Sequence, residues 1–440
     1  MLGHQIRLDP TSEQAQYFAQ ACGTKRLVYN WVLDEWNKQY AAGNRPNAHA
    51  LKKQFNAVKR QLYPWIKDIH RDAHSQPFAN LSAAWSRYFL DRREGRKAYK
   101  PTFKRKHRDI DSFYVANDKF TVSGKTIKLP KIGIVPMREA LRHQGKIMSA
   151  TVFRKAGHWY VSIQVRVNPE QYFRKRTGHG VVGVDLGLKA AATLSTGESI
   201  QAPKPLKASL RRLQIRSRQL SRKVEVAKVL IKTFHGPLQP GKRWRLPLSN
   251  RGIKCSQALA RLHARIANTR EDFTHKLTTR LCRENQTVVI EDLNVKGMMA
   301  NEKLARAICD VGFGRFKVQM QYKAPRHGTK LILADRFYPS SRLCHLCQWK
   351  NEALTLKDRT WICAHCGTTH DRDVNAALNL KRLATATALP VANPTRDGGT
   401  VEGLVPSAGG KVTPVRYEEV SVALRGRKKK RDVHNCAHFR

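Results

Sequence analysis

From Thr11 to about Tyr40, apolar residues (Tyr17, Ala21, Val28, Trp31 and Val32) recur near helical spacing. The spacing predicts a long helix with one buried face. Thr11 and Gln14 fit a capping box, in which each side chain satisfies a backbone donor that the first turn leaves unpaired. Residues 4–8, just before, alternate weakly and fit a short strand. Gly43-Asn44-Arg45-Pro46 ends the periodicity. Helical spacing resumes over residues 48–62 and again from Pro77 to Arg93, where Phe78, Leu81, Trp85 and Phe89 share a face. Aromatics at that spacing read as core packing.

The pattern then changes period. Phe120-Thr121-Val122 and Thr126-Ile127-Lys128-Leu129 flank a Ser123-Gly124 turn, and residues 146–154 and 159–167 flank Ala156-Gly157. Short alternating runs with turn signals predict a small β-barrel or sandwich over residues 99–167. A polar, basic connector follows, over residues 168–180. Beyond it, Val181-Val182-Gly183-Val184-Asp185 is an apolar strand ending in a carboxylate, and residues 190–195 form a second strand. Two helical stretches, 210–231 and 256–283, flank a Pro/Gly-rich loop at 234–250. Thr287–Ile290 is a buried strand closed by Glu291 and Asp292, residues 312–322 are helical, and residues 330–333 form a last strand. Strands alternating with helices over residues 181–380 predict an α/β domain. After about Ala384, Pro, Gly, Thr and Val dominate, and the run 425–431 is almost wholly basic; such a tail is expected to be disordered.

Charge narrows the class of partner. The chain has 440 residues, with 82 Lys and Arg against 33 Asp and Glu, a net charge of +49. A surface this basic attracts a polyanion, and nucleic acid is the first candidate. No apolar run approaches the roughly 20 residues that span a bilayer, and the N-terminus lacks the apolar core of a signal peptide. A cytoplasmic, nucleoid-associated location is expected. Nine cysteines, an odd count, suit a reducing compartment better than a disulfide framework.

Candidate chemistry lies in two places. Cys344, Cys347, Cys363 and Cys366 form two C-x-x-C pairs at the spacing of a tetrahedral zinc ribbon. Four thiolates leave no open coordination position, so this zinc is expected to be structural. His345, His365 and His370 nearby read as packed or surface side chains. Separately, Asp185 and Glu291 each end an apolar strand, and Asp373 begins an Ala-rich helix. Asp292 and Asp371 are close alternatives to their neighbours. Carboxylates at strand ends can converge at a sheet edge. They repel one another unless cations neutralise them, and two Mg²⁺ ions about 4 Å apart do so while clamping a phosphodiester. In a basic chain the acids point to nucleic-acid hydrolysis. Basic clusters at Lys104, Arg105 and Lys106, and at Arg211, Arg212, Arg218 and Arg222, are candidate phosphate-backbone contacts.

Three stretches (VVGVDLGLK, TVVIEDLN and YPSSRLCHLC…CAHCGTTHDRDVNAALNL) resemble the TnpB (OrfB) family of insertion-sequence transposons, relatives of compact type V CRISPR effectors. Arg26-x-x-Tyr29-Asn30, Lys128-Leu129-Pro130 and Val311-Gly312-Phe313-Gly314 also fit, and the match spans about residues 1–382. The resemblance implies a multidomain α+β and α/β architecture. A β-barrel wedge domain (1–10 and 99–178) would carry a helical recognition insert (11–98). An RNase H-like RuvC nuclease domain (179–336 and 368–383) would carry the zinc ribbon (337–367) as a target-nucleic-acid-binding insert, and 384–440 would be a tail. It implies Asp185, Glu291 and Asp373 as the catalytic acids and ligands of two Mg²⁺ ions. The partners implied are a structured guide RNA from the transposon end and double-stranded target DNA, with one protein copy per RNA and no membrane. RNA-guided DNA cleavage beside a short adjacent motif is then the expected activity. The alternatives are a compact CRISPR effector, a nuclease-dead RNA-guided DNA-binding protein, a transposase accessory acting on transposon ends, and a non-catalytic RNA-binding ribbon protein. The last accounts for the charge and cysteines but not for the three acids.

Overall fold

A computed structural model describes residues 1–106, 108–173, 179–235, 247–355 and 357–386. Much of the expected 234–250 loop, and the tail from residue 387, lie outside them. The described residues form two compact units that divide between Asn168 and Pro169.

The first unit opens with β1 (Leu2–Leu8), α1 (Ser12–Ala41), α2 (Ala48–Leu62) and α3 (Arg71–Arg93). The Thr11–Gln14 capping box is formed, with Gln14 N donating to Thr11 Oγ1 at 3.2 Å and Thr11 N to Gln14 Oε1 at 3.1 Å. The third helix begins at Arg71, upstream of the expected Pro77. Pro77 is the seventh residue of this helix, so its missing N–H leaves the Ala73 carbonyl without the usual helical donor. Asp72 in the first turn accepts from Ala116 N at 2.8 Å, which ties that end of α3 to the sheet. Val28, Val32, Leu51, Phe55, Leu81 and Trp85 form the interhelical core.

The strands that follow are β2 (Ser112–Ala116), β3 (Thr121–Ser123), β4 (Thr126–Leu129), β5 (Gly133–Pro136), β6 (Lys146–Lys155) and β7 (His158–Arg166). They make an antiparallel sheet β1-β7-β6-β2 and a meander β3-β4-β5, linked by the bridge Leu8–Met137. Ala156 and Gly157 turn β6 into β7 with φ of 50° and 82°. Phe18 of α1 stands against Phe113 and Trp159 of the sheet. Strands β2 and β5 escape the sequence pattern because each is only four or five residues long.

The second unit contains α4 (Pro169–Tyr172), β8 (His179–Asp185), β9 (Ala192–Leu194), β10 (Ser199–Ile200), α5 (Pro205–His235), α6 (Asn250–Glu284), β11 (Asn285–Glu291), α7 (Val295–Ala300), α8 (Glu302–Val311), α9 (Phe313–Arg326), β12 (Lys330–Ala334), β13 (Thr360–Ile362), β14 (Thr369–Asp371) and α10 (Arg372–Ala386). Its five-stranded sheet has the order β10-β9-β8-β11-β12. Strands β8, β11 and β12 are parallel, and β9 and β10 run as antiparallel neighbours. One face, with Val182, Val184, Val288 and Ile290, packs on Leu277 and Leu281 of α6 and Phe316 and Met320 of α9. The other face, with Val289, meets Leu380 of α10. Helices α7 and α8 are additions to the sequence reading, and the side chains of Asn294 and Asn301 cap their first turns. Asp310, buried at the end of α8, accepts from Leu206 N and Lys207 N at 2.9 Å each and pairs with Arg270 at 3.1 Å. One carboxylate thereby caps α5 and fixes it to α6 and α8.

Candidate active site and metal centre

The parallel register brings the first two acids together. Gly183 pairs with Val289 and Val184 with Ile290. One residue further along, β8 ends in Asp185 and β11 in Glu291. Neighbouring strands run about 4.8 Å apart, and side chains at equal register point to the same face. That face is the one α10 covers. Contact there is made backbone to backbone: a Cβ on Gly183 would stand 2.0 Å from the Ala377 carbonyl oxygen and 2.5 Å from Lys381 N. Asp185 lies two residues beyond Gly183 on the same face, a step of about 6.6 Å. Asp373 lies one helical turn before Ala377, a step of about 6 Å. The close approach of α10 to β8 therefore brings Asp373 toward the strand ends.

The electrostatics record the convergence. Burial, then Glu291, then Asp373, push the Asp185 carboxyl up to about 8. Arg372 and Arg359 oppose that shift. Burial also raises the Glu291 carboxyl, against a hydrogen bond from Ser340 Oγ at 2.7 Å. Arg359 lies 3.5 Å from Asp373.

The two neighbouring acids have other partners. Asp292 pairs with Lys317 and, at 3.3 Å, with Arg336, and these cations hold its carboxyl below the usual range. Asp371 Oδ1 accepts from Asp373 N at 3.0 Å and Val374 N at 2.9 Å, so it caps α10. Asp371 thus directs the helix, and Asp373 is the carboxylate whose charge acts on Asp185.

The four ribbon cysteines offer sulfur atoms that all lie within 4.8 Å of one another, a set able to hold a metal ion. Cys344 and Cys363 are buried with Leu354 and Trp361 in a small core, and β13 pairs with β14 across the second knuckle. His370 is buried, with Nε2 3.1 Å from Cys344 Sγ and its ring against Trp361. His345 donates its backbone N to Asn375 Oδ1 at 3.0 Å, and His365 is exposed.

Two residues that sequence reasoning passed over join the ribbon to the sheet. Asn375 and Asn379 of α10 are 1% and 0% exposed. Asn375 Nδ2 donates to Leu343 O at 2.7 Å, and Asn379 Nδ2 to Ser340 O at 2.8 Å and Leu343 O at 2.7 Å. The available signal was two amides at i and i+4 inside an Ala/Leu helix, where unpartnered burial would be costly.

The basic candidates divide. Arg211, Arg212, Arg218 and Arg222 are exposed on α5. Lys104 is occupied within its own unit: it is 3.4 Å from Asp109 and stands over the Tyr29 ring, and its backbone exchanges two hydrogen bonds with the Asn30 side chain. Arg26 pairs with Asp111. The Arg26-x-x-Tyr29-Asn30 motif thus clamps the loop that displays Arg105 and Lys106, both exposed.

A transposon family described as "Probable transposase" matches residues 162–302, a "Cas12f1-like, TNB domain" matches residues 313–380, and a "Helix-turn-helix domain" of the same transposon family matches residues 1–45. In this chain the last region is β1 and the single helix α1. A Streptomyces pristinaespiralis protein named "Putative RNA-guided DNA endonuclease" is 32% identical over 385 residues, covering 85% of this chain and 87% of that one. Proteins similarly named from Mycobacterium tuberculosis and Escherichia coli K12 are each 28% identical, covering 85% of this chain and 85% and 90% of theirs. A solved Cas12f1–sgRNA–target DNA complex aligns with a TM-score of 0.45 at 13% identity, over 84% of this chain and 83% of that chain. The chain belongs to the TnpB (OrfB) family of transposon-encoded proteins.

Proposed function

We propose that this protein is an RNA-guided, Mg²⁺-dependent DNA endonuclease, with Asp185, Glu291 and Asp373 as its catalytic acids. The observation that carries the reading is geometric: β8 and β11 end side by side in Asp185 and Glu291, the close approach of α10 brings Asp373 toward them, and burial with these acids raises the Asp185 carboxyl. A cluster that resists ionisation unless neutralised fits divalent cations held by oxygen donors. Asp185, Glu291 and Asp373 would hold two Mg²⁺ ions, which when bound would supply a clamp on the scissile phosphate, activation of water and stabilisation of the leaving oxygen. The chain's own part is to hold three carboxylates at one sheet edge. Arg359 and Arg372, which oppose the rise at Asp185, supply positive charge beside that edge. The four cysteines fit a structural Zn²⁺ with every position filled by protein.

The sheet order, with β9 antiparallel beside three parallel strands, supports an RNase H-like RuvC domain over residues 179–336 and 368–383, with the 337–367 ribbon binding target nucleic acid. The two linked sheets of the first unit support a β-barrel wedge at 1–10 and 99–178, with the helices of 11–98 as its recognition insert. The relatives named as RNA-guided DNA endonucleases support the partners: a structured RNA from the transposon end, which reads the target by pairing, and double-stranded DNA. One copy of the chain per RNA is the arrangement proposed. A nuclease-dead binding role on the same scaffold is disfavoured because all three acids are present.

The test is cleavage of a matched DNA duplex by the protein purified with its co-expressed RNA. Cleavage should require Mg²⁺ and RNA, and should vanish in Asp185→Ala and Glu291→Ala while DNA binding persists. Cleavage without RNA would overturn the guided mechanism. Normal cleavage by Asp373→Ala together with loss in Asp371→Ala would reassign the third acid.

A further inference from the structure

Ser340 lies between the zinc ribbon and the acid cluster. It is 5% exposed. Its hydroxyl donates to Glu291 Oε1 at 2.7 Å, and its carbonyl accepts from Asn379 Nδ2 at 2.8 Å. Asn379 is fully buried and also donates to Leu343 O, one residue before the first zinc-binding cysteine. Asn375, one turn earlier on α10, holds the same Leu343 carbonyl and the His345 backbone N. The backbone from Ser340 to His345 is thus pinned at both ends by two buried amides of the helix that carries Asp373.

We propose that Ser340 is a positioning residue for Glu291, and that the first ribbon knuckle fixes the acid cluster through it. Glu291 ends a strand, and a glutamate has three side-chain torsions to settle. Of its two carboxylate oxygens, Oε1 is tied to a hydroxyl whose own backbone is immobilised. Oε2 is then presented in one direction, with one oxygen reserved and one offered to a cation. Outer-shell hydrogen bonds of this kind orient metal-binding side chains, and their loss typically costs about 10- to 100-fold in metal affinity or activity. The ribbon is accordingly part of the catalytic scaffold as well as a nucleic-acid-binding element.

This inference rests on Glu291 being a Mg²⁺ ligand, so the experiment separates the two claims. The full chain with its co-expressed RNA is compared as parent, Glu291→Gln, Ser340→Ala and Ser340→Thr. Two quantities are read: single-turnover cleavage rate across a Mg²⁺ titration, and the Mn²⁺-induced rise in melting temperature, which needs no turnover. Glu291→Gln should abolish cleavage; if it cleaves normally, the underlying site assignment fails. Ser340→Ala should bind target DNA like the parent, need about tenfold more Mg²⁺ for half-maximal rate, and show a reduced Mn²⁺-induced rise. Ser340→Thr, which keeps the hydroxyl, should recover both. An inactive Glu291→Gln alongside a Ser340→Ala variant with the parent's Mg²⁺ dependence and Mn²⁺ response would overturn the positioning role. If Ser340→Ala is unstable without metal, Ser340→Thr decides: a parental melting temperature with a weakened metal response in that variant overturns the role of the hydroxyl.

Discussion

Gly183 of β8 and Ala377 of α10 meet through their main chains, so closely that a methyl group on Gly183 would lie 2.0 Å from the Ala377 carbonyl oxygen. No rotamer change relieves such a contact, because the obstructing atom is backbone. The separation between α10 and β8 is set here, and with it the approach of Asp373 to Asp185.

Gly183→Ala should therefore damage both stability and catalysis. Overpacking a buried site costs about 1–3 kcal/mol when side chains can yield, and here a helix must move instead. Denaturant unfolding should show a loss at or above the upper end of that range. Any folded fraction should cleave far more slowly than the parent at equal DNA occupancy.

The acid cluster gives a pH signature with a definite sign. Asp185 has a folded-state pKa raised from 3.8 to about 8. A raised acid favours the protonated folded form, so its contribution to stability is fully present below about pH 4 and is lost as pH rises through about 8. Without Mg²⁺, the melting temperature should fall across that window, and Asp185→Asn should flatten the fall. Mg²⁺ should raise the melting temperature of the parent most at pH 8 and that of the variant little. Thermal melts at pH 6 and pH 8, with zinc retained and Mg²⁺ varied, measure both effects.

Asp292 and Asp371 should prove dispensable for the chemistry. Asp292→Asn breaks ion pairs with Lys317 and Arg336 that are solvent-screened, and such pairs contribute little to stability. Asp371→Asn keeps a capping oxygen, whereas Asp371→Ala should cost about 1 kcal/mol of stability. Cleavage rates measured at saturating Mg²⁺ should stay near the parent's for both Asn variants.

Zinc content follows from the four-cysteine set. Cys363→Ser should cut bound zinc sharply by elemental analysis and expose the 337–371 region to limited proteolysis. Structural zinc sites contribute folding energy directly. Because Asn375 and Asn379 grip this knuckle from α10, cleavage should fall along with zinc.

The exposed arginines of α5 should act through salt dependence. Replacing Arg211, Arg212, Arg218 and Arg222 together by Gln should weaken RNA or DNA binding. The slope of log K against log salt should become shallower by up to about 0.9 per lost phosphate contact on duplex DNA. Lys104→Ala should instead lower the melting temperature, since its cation lies over Tyr29 and beside Asp109. Binding across a salt series separates the two behaviours.

Much of this was legible in the sequence because local chemistry declared it. The Thr11–Gln14 cap, the C-x-x-C pairs and the apolar strands ending in Asp185 and Glu291 each carry their signal within a few residues. What escaped depends on distant partners. Pro77 suggests a helix start until Asp72 is seen tied to Ala116 across the unit. Lys104 looks like one more surface cation until Asn30, far upstream, is found holding its backbone. Ser340 belongs to a run that carries the family resemblance but declares no partner, and only the fold brings its hydroxyl to Glu291. Asp371, the alternative to Asp373 in the sequence, caps α10 in the fold, a role that only the backbone geometry reveals.

The order of the three acids along the chain has a consequence for synthesis. Asp185 and Glu291 emerge from the ribosome first, and Asp373 follows only after the ribbon that precedes it. At about 5–20 residues per second, a nascent chain spends several seconds with two acids made and the third absent. Because α10 is also the clamp on the ribbon, it cannot dock until both its partners exist. The proposed cutting centre is silent until α10 has been made, and a product truncated before α10 carries no active blade into the cell that makes it.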